Sequence, residues 1–445
     1  MRHSPNVLPP ASPETEASPY SSLHDEDDGP LRILLSSYRS HPRTGGQGVY
    51  IRYLTKALVN LGHKVDVISG PPYPALDERV GLIKLPSLDL YAQSSPLFAL
   101  RLPMLKDRIA LYEWWHHNVG RFPEPYTFGE RMADYMRKRI HLYDVLHDNQ
   151  TLSYGMLKVN RMGLPIVGTM HHPITVDRRI DLHHQRNPFM KFLKWRWYSF
   201  LTMQTQVIRQ LDYIVTGSQS ACHDAARDFG ISPDRIRITP HGIDHETFRP
   251  LPETSRHPRK LIAVASADVP LKGLIYLVRA YRSLLTRYPD LELVVVGHLR
   301  EGQTARELRA LGIEHRVRFV SDLDDEEMTR LYAEATLAVS PSVYEGFGFP
   351  AGEAMACGVP LVATDGGSLP EVVGDAALIA PHSNPQALAE AIATLLDDPE
   401  KRAQFAKAGR QRVLDHFNWE HAAKLTVAVY REAIYANHQS AHSAS

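Results

Sequence analysis

Short apolar runs alternate along this chain with stretches whose apolar residues recur every three or four positions. Residues 31–37 read as a buried strand. Tyr50, Tyr53, Leu54, Ala57, Leu58 and Leu61 then share one face of a helix over 49–61, and residues 65–68 return as a strand. Strand, helix and strand in that order predict a parallel pair with a right-handed crossover. Further strands are predicted at 144–148, 165–170 and 212–218, and the stretch 237–244 closes the first half. A fresh series follows, with strands at 261–266, 291–297, 317–320, 336–340 and 360–364. Its helices fall at 273–287, 305–311, 325–335 and from Pro350, and a helical pattern runs from Pro385 to about Ala436. The count predicts an α/β protein of two Rossmann-like, doubly wound domains facing a central cleft.

Two stretches break the alternation. Residues 70–139 carry aromatic and proline-rich segments such as Pro71-Pro72-Tyr73-Pro74 and Leu111-Tyr112-Glu113-Trp114-Trp115. They are expected as long connections, either part of an acceptor site or an insertion packed on the sheet. Residues 188–209 read as one helix with two faces. Phe189, Phe192, Leu193, Trp197, Phe200, Val207 and Ile208 fall on one, and Lys191, Lys194, Trp195 and Tyr198 on the other. The first face is expected in the core. Aromatics beside lysines on the second suit an interfacial helix, with peripheral membrane contact or a lipid acceptor, or else a scaffold helix with exposed rings.

Composition narrows the classes. A chain of 445 residues exceeds what one core usually supports, in keeping with two domains. Lys plus Arg equals Asp plus Glu at 50 each, so there is no global field for nucleic acid, and attraction to a charged surface must be local. Cys222 and Cys357 are the only cysteines, which argues against a disulfide framework and fits a reducing, cytoplasmic setting. No apolar run is long enough to span a bilayer, so any membrane contact would be peripheral, at the inner face. The first 30 residues are rich in Pro, Ser and acid and lack the layout of a signal peptide, so a disordered tail is expected there.

Candidate chemistry concentrates after the 336–340 strand, in Glu345-Gly346-Phe347-Gly348-Phe349-Pro350. Gly346 and Gly348 lack a Cβ, so a ligand can approach the backbone closely, and the uncapped N–H groups of the helix that starts near Pro350 face the same space. Glu345 and Glu353 flank those amides. Carboxylates accept hydrogen bonds from hydroxyls, so a polyhydroxylated ligand beside a phosphate is the expectation. Lys272, at the start of the 273–287 helix, can neutralise charge that builds on a bound anion. A second glycine-rich turn, Gly45-Gly46-Gln47-Gly48, precedes the first helix. A dinucleotide-binding dehydrogenase is the rival there, but the turn is not GxGxxG, and Asp66 is its only other support. Asp322-Leu323-Asp324 has the spacing of metal-dependent transferases, yet it precedes Asp325-Glu326-Glu327 at a helix start, where capping accounts for it better. His171, His172, His183 and His184 fit no zinc spacing, and no required metal is expected.

Glu345-x7-Glu353, with Gly-Phe-Gly-Phe-Pro inside it, resembles the signature of glycosyltransferase family 4, the retaining, sugar-nucleotide-dependent enzymes of GT-B architecture. The resemblance covers most of 31–412 and is strongest over 240–375. It implies that Glu345 contacts the donor sugar, that the amides of Phe347, Gly348 and Phe349 bind its hydroxyls, and that Glu353 holds the ribose. It implies further that Gly46 and Gln47 approach the donor diphosphate, that His171 contacts the donor sugar, and that glycines in Asp365-Gly366-Gly367-Ser368 line the pocket. The family pattern usually has Gly-Arg before the lysine, whereas Ser266-Ala267-Asp268 stands here, so the arginine is missing at Ala267. Arg43, His298 or Arg300 can substitute, and the sequence selects none.

The implied organisation is a tail (1–30), an acceptor-binding domain (31–244), a nucleotide-sugar-binding domain (245–417), a helix crossing back to the first domain (418–436) and a second tail (437–445). The implied reaction moves a hexose from a nucleoside diphosphate sugar to an acceptor hydroxyl, a lipid or cell-envelope glycan precursor among the candidates. No cofactor is involved beyond that donor, and the leaving diphosphate takes the acceptor's proton. Two alternatives stand beside it, a soluble sucrose- or glycogen-type transferase and, because of Ala267, a sugar-nucleotide-binding protein without transferase activity.

Overall fold

The computed structural model describes residues 29–42, 45–265 and 269–443. The expected tail before residue 29, Arg43 and the Ser266–Asp268 stretch with Ala267 lie outside the described residues.

The first domain is a seven-stranded parallel sheet, in the order β3-β2-β1-β4-β5-β6-β7. Its strands are β1 (Arg32–Ser37), β2 (Lys64–Ser69), β3 (Gly81–Lys84), β4 (Val145–Asn149), β5 (Ile166–Thr169), β6 (Tyr213–Thr216) and β7 (Ile236–Ile238). The apolar runs read from the sequence are central strands buried on both faces, as helix-covered parallel sheets require. Leu34, Leu146, Ile166 and Ile214 feed one core. Ile33, Leu35, Val145, Val167 and Val215 point the other way, into the helices Gly46–Asn60 and Trp419–Ser443.

The second domain is a six-stranded parallel sheet, β10-β9-β8-β11-β12-β13. It is built from β8 (Lys260–Val264), β9 (Glu292–Val296), β10 (Val317–Val320), β11 (Leu337–Ser340), β12 (Leu361–Thr364) and β13 (Leu378–Ala380). In each sheet the winding reverses once, between β1 and β4 and between β8 and β11. Ligands of open α/β sheets collect at such switch points, beyond the carboxyl ends of the strands. The chain's last helix, Trp419–Ser443, lies on the first sheet, where Trp419, Ala423 and Tyr430 are buried in its core. The Tyr430 hydroxyl bonds His147 on β4, and that buried imidazole bonds Thr169 on β5.

Three expectations need correction. Residues 70–139 are long loops only in part: 85–107 is irregular apart from two 3-10 turns, but the rest contains β3 and the helices Arg108–Asn118 and Glu124–Met136, and the second of these puts Phe128, Met132 and Met136 into the core. Asp66 is structural, since it accepts a 2.7 Å bond from the Tyr143 hydroxyl. The 188–209 helix is broken into Pro188–Trp197 and Leu201–Ile208 by a 3-10 turn at Tyr198–Phe200. A break changes the helical phase, so the two faces read from the sequence do not survive. Tyr198 is buried, its hydroxyl donating to Asp181 at 2.9 Å, whereas Phe189 and Phe192, expected in the core, are exposed.

Candidate active site

The loop after β11 is anchored by its side chains. Phe347 packs on His241 and Phe417, with ring centroids 4.9 and 5.6 Å apart, and Phe349 stacks on Trp419 at 6.3 Å. The Val343 amide donates 2.8 Å to the Leu271 carbonyl, tying the loop to the turn that carries Lys272. Gly348, at φ 99°, turns the chain into the helix Phe349–Ala356, which has no side-chain cap. The consequence is a run of unpaired donors. Among the described residues, no acceptor faces the backbone N–H groups of Glu345, Gly346, Phe347, Gly348 or Phe349. Consecutive free amides at a helix start form an anion-binding cradle.

Glu345 lies beside the cradle, 11% exposed, accepting from Lys272 Nζ at 2.7 Å and from Ser342 Oγ at 2.8 Å. An ammonium has three donors, so this bond leaves Lys272 two for a ligand. Glu353 sits one turn into the helix, within 3.4 Å of the Tyr332 hydroxyl. Burial, helped by Asp325 and opposed by the Tyr332 bond, pushes its carboxyl up to about 7. At neutral pH Glu353 can therefore donate to a ligand hydroxyl as well as accept from one.

The first domain closes over this loop. Gly46, the first residue of its helix, lies against the Phe349 ring, 3.5 Å from where a Cβ would stand. Gln47 bonds Asn149 through its carbonyl. His171 follows β5, and both its ring nitrogens are used within the domain. Nε2 lies 2.6 Å from Asn149 Oδ1, and Nδ1 3.3 Å from His241 Nε2. The Asn149 oxygen only accepts, so Nε2 carries the proton and Nδ1 accepts from His241. Burial, with His241 and His172 adding, holds His171 well below the usual histidine range, and the ring stays neutral. What His171 presents to the second domain is its backbone carbonyl, pressed against Gly346.

His172 faces the cleft instead, and sequence reasoning gave it no role at the donor. Its Nε2 is 2.8 Å from Asp177 Oδ2, and its ring lies against Gly346, near Glu345 and Lys272. Burial pulls its pKa down, but the charge and hydrogen bond of Asp177, with Glu345, more than offset that and the net shift is upward. Gln150 clamps both histidines, accepting from the His171 amide and donating to the His172 carbonyl, at 2.7 Å each. Its φ of 56° marks the strained turn that makes this possible. The doubled histidine after a strand was the one local signal for His172, and nothing local marked Asn149, Gln150 or His241 as partners of His171.

Gly46 and Phe349, His171 and Gly346, and Lys272 and Glu345 thus meet along one seam. The Glu353 carboxyl bonds Tyr332, whereas Lys272 bonds Glu345. Arg52 to Asp325 at 2.9 Å and Ser218 Oγ to the Gly346 carbonyl at 3.1 Å also span the seam. The Glu371 carboxylate takes the Gln219 and Ser220 amides at 2.7 and 2.6 Å, capping a helix of the opposite domain. Beside Lys272 a cavity of about 240 Å³ remains between His184 and Lys194 on one side and Leu274 and Arg306 on the other. His298 is paired with Asp322, and neither it nor Arg300 bonds a residue of the cradle. Asp324 and Glu327 form a capping box on the helix Asp325–Glu334, the role expected for that acidic stretch.

Comparison with known proteins agrees with this arrangement. The family described as "Glycosyltransferase Family 4" matches residues 44–247, and "Glycosyl transferases group 1" matches residues 250–412. The MMP alpha-(1->4)-mannosyltransferase of Mycolicibacterium hassiacum is 43% identical over 409 residues, covering 91% of this chain and 98% of that protein. Among solved structures, sucrose-phosphate synthase from Thermosynechococcus elongatus superposes with a TM-score of 0.69 at 23% identity, over 91% of this chain and 100% of that one. Anabaena Alr3699/HepE in complex with UDP-glucose does so with 0.62 at 16% identity, over 91% and 99%.

Proposed function

This chain belongs to glycosyltransferase family 4 and is a glycosyltransferase of the GT-B fold, and we propose that it is a retaining enzyme that moves a hexose from a nucleoside diphosphate sugar to an acceptor hydroxyl. One observation carries the reading: five consecutive amides, Glu345 to Phe349, that meet no acceptor among the described residues lead into a helix beside the Lys272–Glu345 pair. The amides of Glu345 and Gly346 and the Lys272 ammonium hold the diphosphate, with Gly46 and Gln47 approaching from the other domain. Glu345 and the amides of Phe347, Gly348 and Phe349 bind sugar hydroxyls, Glu353 binds the ribose, and the His171 segment closes over the sugar. The sugar C1–O bond to phosphate breaks while a C1–O bond to the acceptor forms on the same face, and the departing phosphate oxygen takes the acceptor's proton. Closure of the seam keeps water from the donor. In this reading the positive charge comes from amides and Lys272, and no metal takes part; turnover in EDTA should equal turnover without it.

The relative's mannosyl transfer and the UDP-glucose complex of the Anabaena protein make mannose and glucose donors the first to test. Thermal-shift screening of UDP, GDP and ADP hexoses tests donor binding, because a ligand that binds only the folded state raises Tm with occupancy. Transfer assays with the stabilising donor follow. A panel in which no nucleotide sugar raises Tm would overturn the assignment. For the acceptor, the exposed aromatics of Pro188–Trp197 favour a lipid or cell-envelope precursor, handled at the inner face of the membrane, over a free sugar of the sucrose or glycogen type. Good transfer to free sugars, with none to lipid-linked ones, would reverse that preference.

A further inference from the structure

Large apolar side chains are exposed mainly in one region. Leu102 and Phe98 are 83% and 82% exposed, and Trp115, Phe189, Phe192 and Trp195 all exceed half. They come from two segments distant in sequence, 96–115 and the helix Pro188–Trp197, which has no buried residue at all. The two segments adjoin, because residues on either side of 96–115 touch the helix. Trp197 Nε1 donates 3.0 Å to the Tyr91 hydroxyl, the Arg196 guanidinium bonds the Val119 carbonyl, and Trp114 Nε1 donates 2.9 Å to the Leu97 carbonyl. Trp197 also stacks on Phe122 at 4.8 Å. A patch of this extent on a folded domain marks an interaction site.

Charge identifies the partner. Between Arg186 and Trp197 the chain carries Arg186, Lys191, Lys194 and Arg196 and no acid, within a protein whose total charge is balanced; Lys194 is paired with Asp181 of the preceding helix at 3.4 Å, so Arg186, Lys191 and Arg196 carry the rim. The neighbouring segment adds Arg101, Lys106 and Arg108. Its two acids are occupied, Asp107 capping the Arg108–Asn118 helix and Glu113 buried against Arg131. Apolar rings ringed by bases match an anionic bilayer, where rings enter the interface and lysines and arginines meet headgroups. A second copy fits poorly, because a two-fold contact would lay this basic rim against itself.

We infer that the helix Pro188–Trp197 and the 96–115 segment together form a docking face for anionic lipid bilayers. The inference stands on this surface and is independent of the reaction assigned to the cleft. It also sets an orientation. Lys194 lines the cavity between the domains, so docking would bring that side of the cleft to the headgroups.

The test is flotation of the full chain with phosphatidylcholine vesicles and with vesicles holding about 30% phosphatidylglycerol, at about 0.1 M and 0.5 M salt. The protein should float with the anionic vesicles alone, and high salt should weaken that by about tenfold. Phe189→Ser with Trp195→Ser, and separately Phe98→Ser with Leu102→Ser, should each cut binding by about tenfold or more, with Tm and donor binding unchanged because these side chains are exposed. No flotation with either vesicle, or flotation unaffected by both double variants, would overturn the inference. So would a dimer in sedimentation that the variants dissociate, which would make the face an interface between copies.

Discussion

Gly346→Ala isolates domain closure from folding. A Cβ at Gly346 would stand 2.7 Å from the His171 carbonyl oxygen and 3.1 Å from His172 Nδ1, both in the opposite domain. That is about 0.7 Å short of ordinary contact, which begins at 3.4 Å. Gly346 is not among the glycines with positive φ, so alanine suits the local backbone and the methyl clashes only across the seam. Neither partner can turn away, because Gln150 clamps the carbonyl segment from both ends and Asp177 holds the His172 ring. The relief left is for the domains to part by roughly the missing distance. Reacting groups displaced by most of an ångström lose about ten- to a hundredfold in rate, about 1.4–2.7 kcal/mol in the barrier. Initial rates of transfer or donor hydrolysis should therefore fall by that factor, with thermal unfolding shifted by less than about 3 °C. Turnover within twofold of wild type would refute the reasoning, and a large drop in Tm would show that the methyl had damaged the fold instead.

Other perturbations separate the parts of the site. Glu345→Gln keeps the shape of the side chain but removes the charge that Lys272 and a sugar hydroxyl meet, and turnover should fall at least about tenfold; a near-normal rate counts heavily against its role. Glu371→Ala removes a charged cap present only when the domains are closed, about 1 kcal/mol, so donor affinity should weaken about fivefold by calorimetry while Tm stays put. An unchanged affinity would mean the contact does not help closure. Glu124 is a buried carboxyl that burial, against the opposing Arg39, pushes up to about 7 from 4.5. The folded state holds this proton more tightly than the unfolded one, so stability is lost as pH rises between those values, to a limit of about 3 kcal/mol above pH 7. In urea, Glu124→Gln should gain on wild type between pH 5 and pH 8, and a gap that does not grow with pH would contradict the sign.

The two parallel sheets are legible in the chain's own pattern, because strands buried on both faces must be continuous apolar runs and the helices between them must carry one apolar stripe. The sequence also located the cradle. Gly346, Gly348 and the proline that opens a helix act through their own backbone, and backbone effects are local. It misread residues 70–139 and 188–209, where an aromatic could face the core or solvent at equal helical spacing. Which of the two happens depends on what covers it: Tyr198 turns inward because Asp181 and Phe200 receive it, and Phe192 stays outside because its stacking partner, Trp195, is itself exposed. Only packing supplied the long-range pairings of the site, some within one domain and some between the two. Lys272 finds Glu345, Asn149 and His241 take both nitrogens of His171, and Glu371 caps a helix of the other domain. Such contacts join residues dozens of positions apart, brought together only because each sheet ends its strands at the same seam, and local patterning carries no term for that distance.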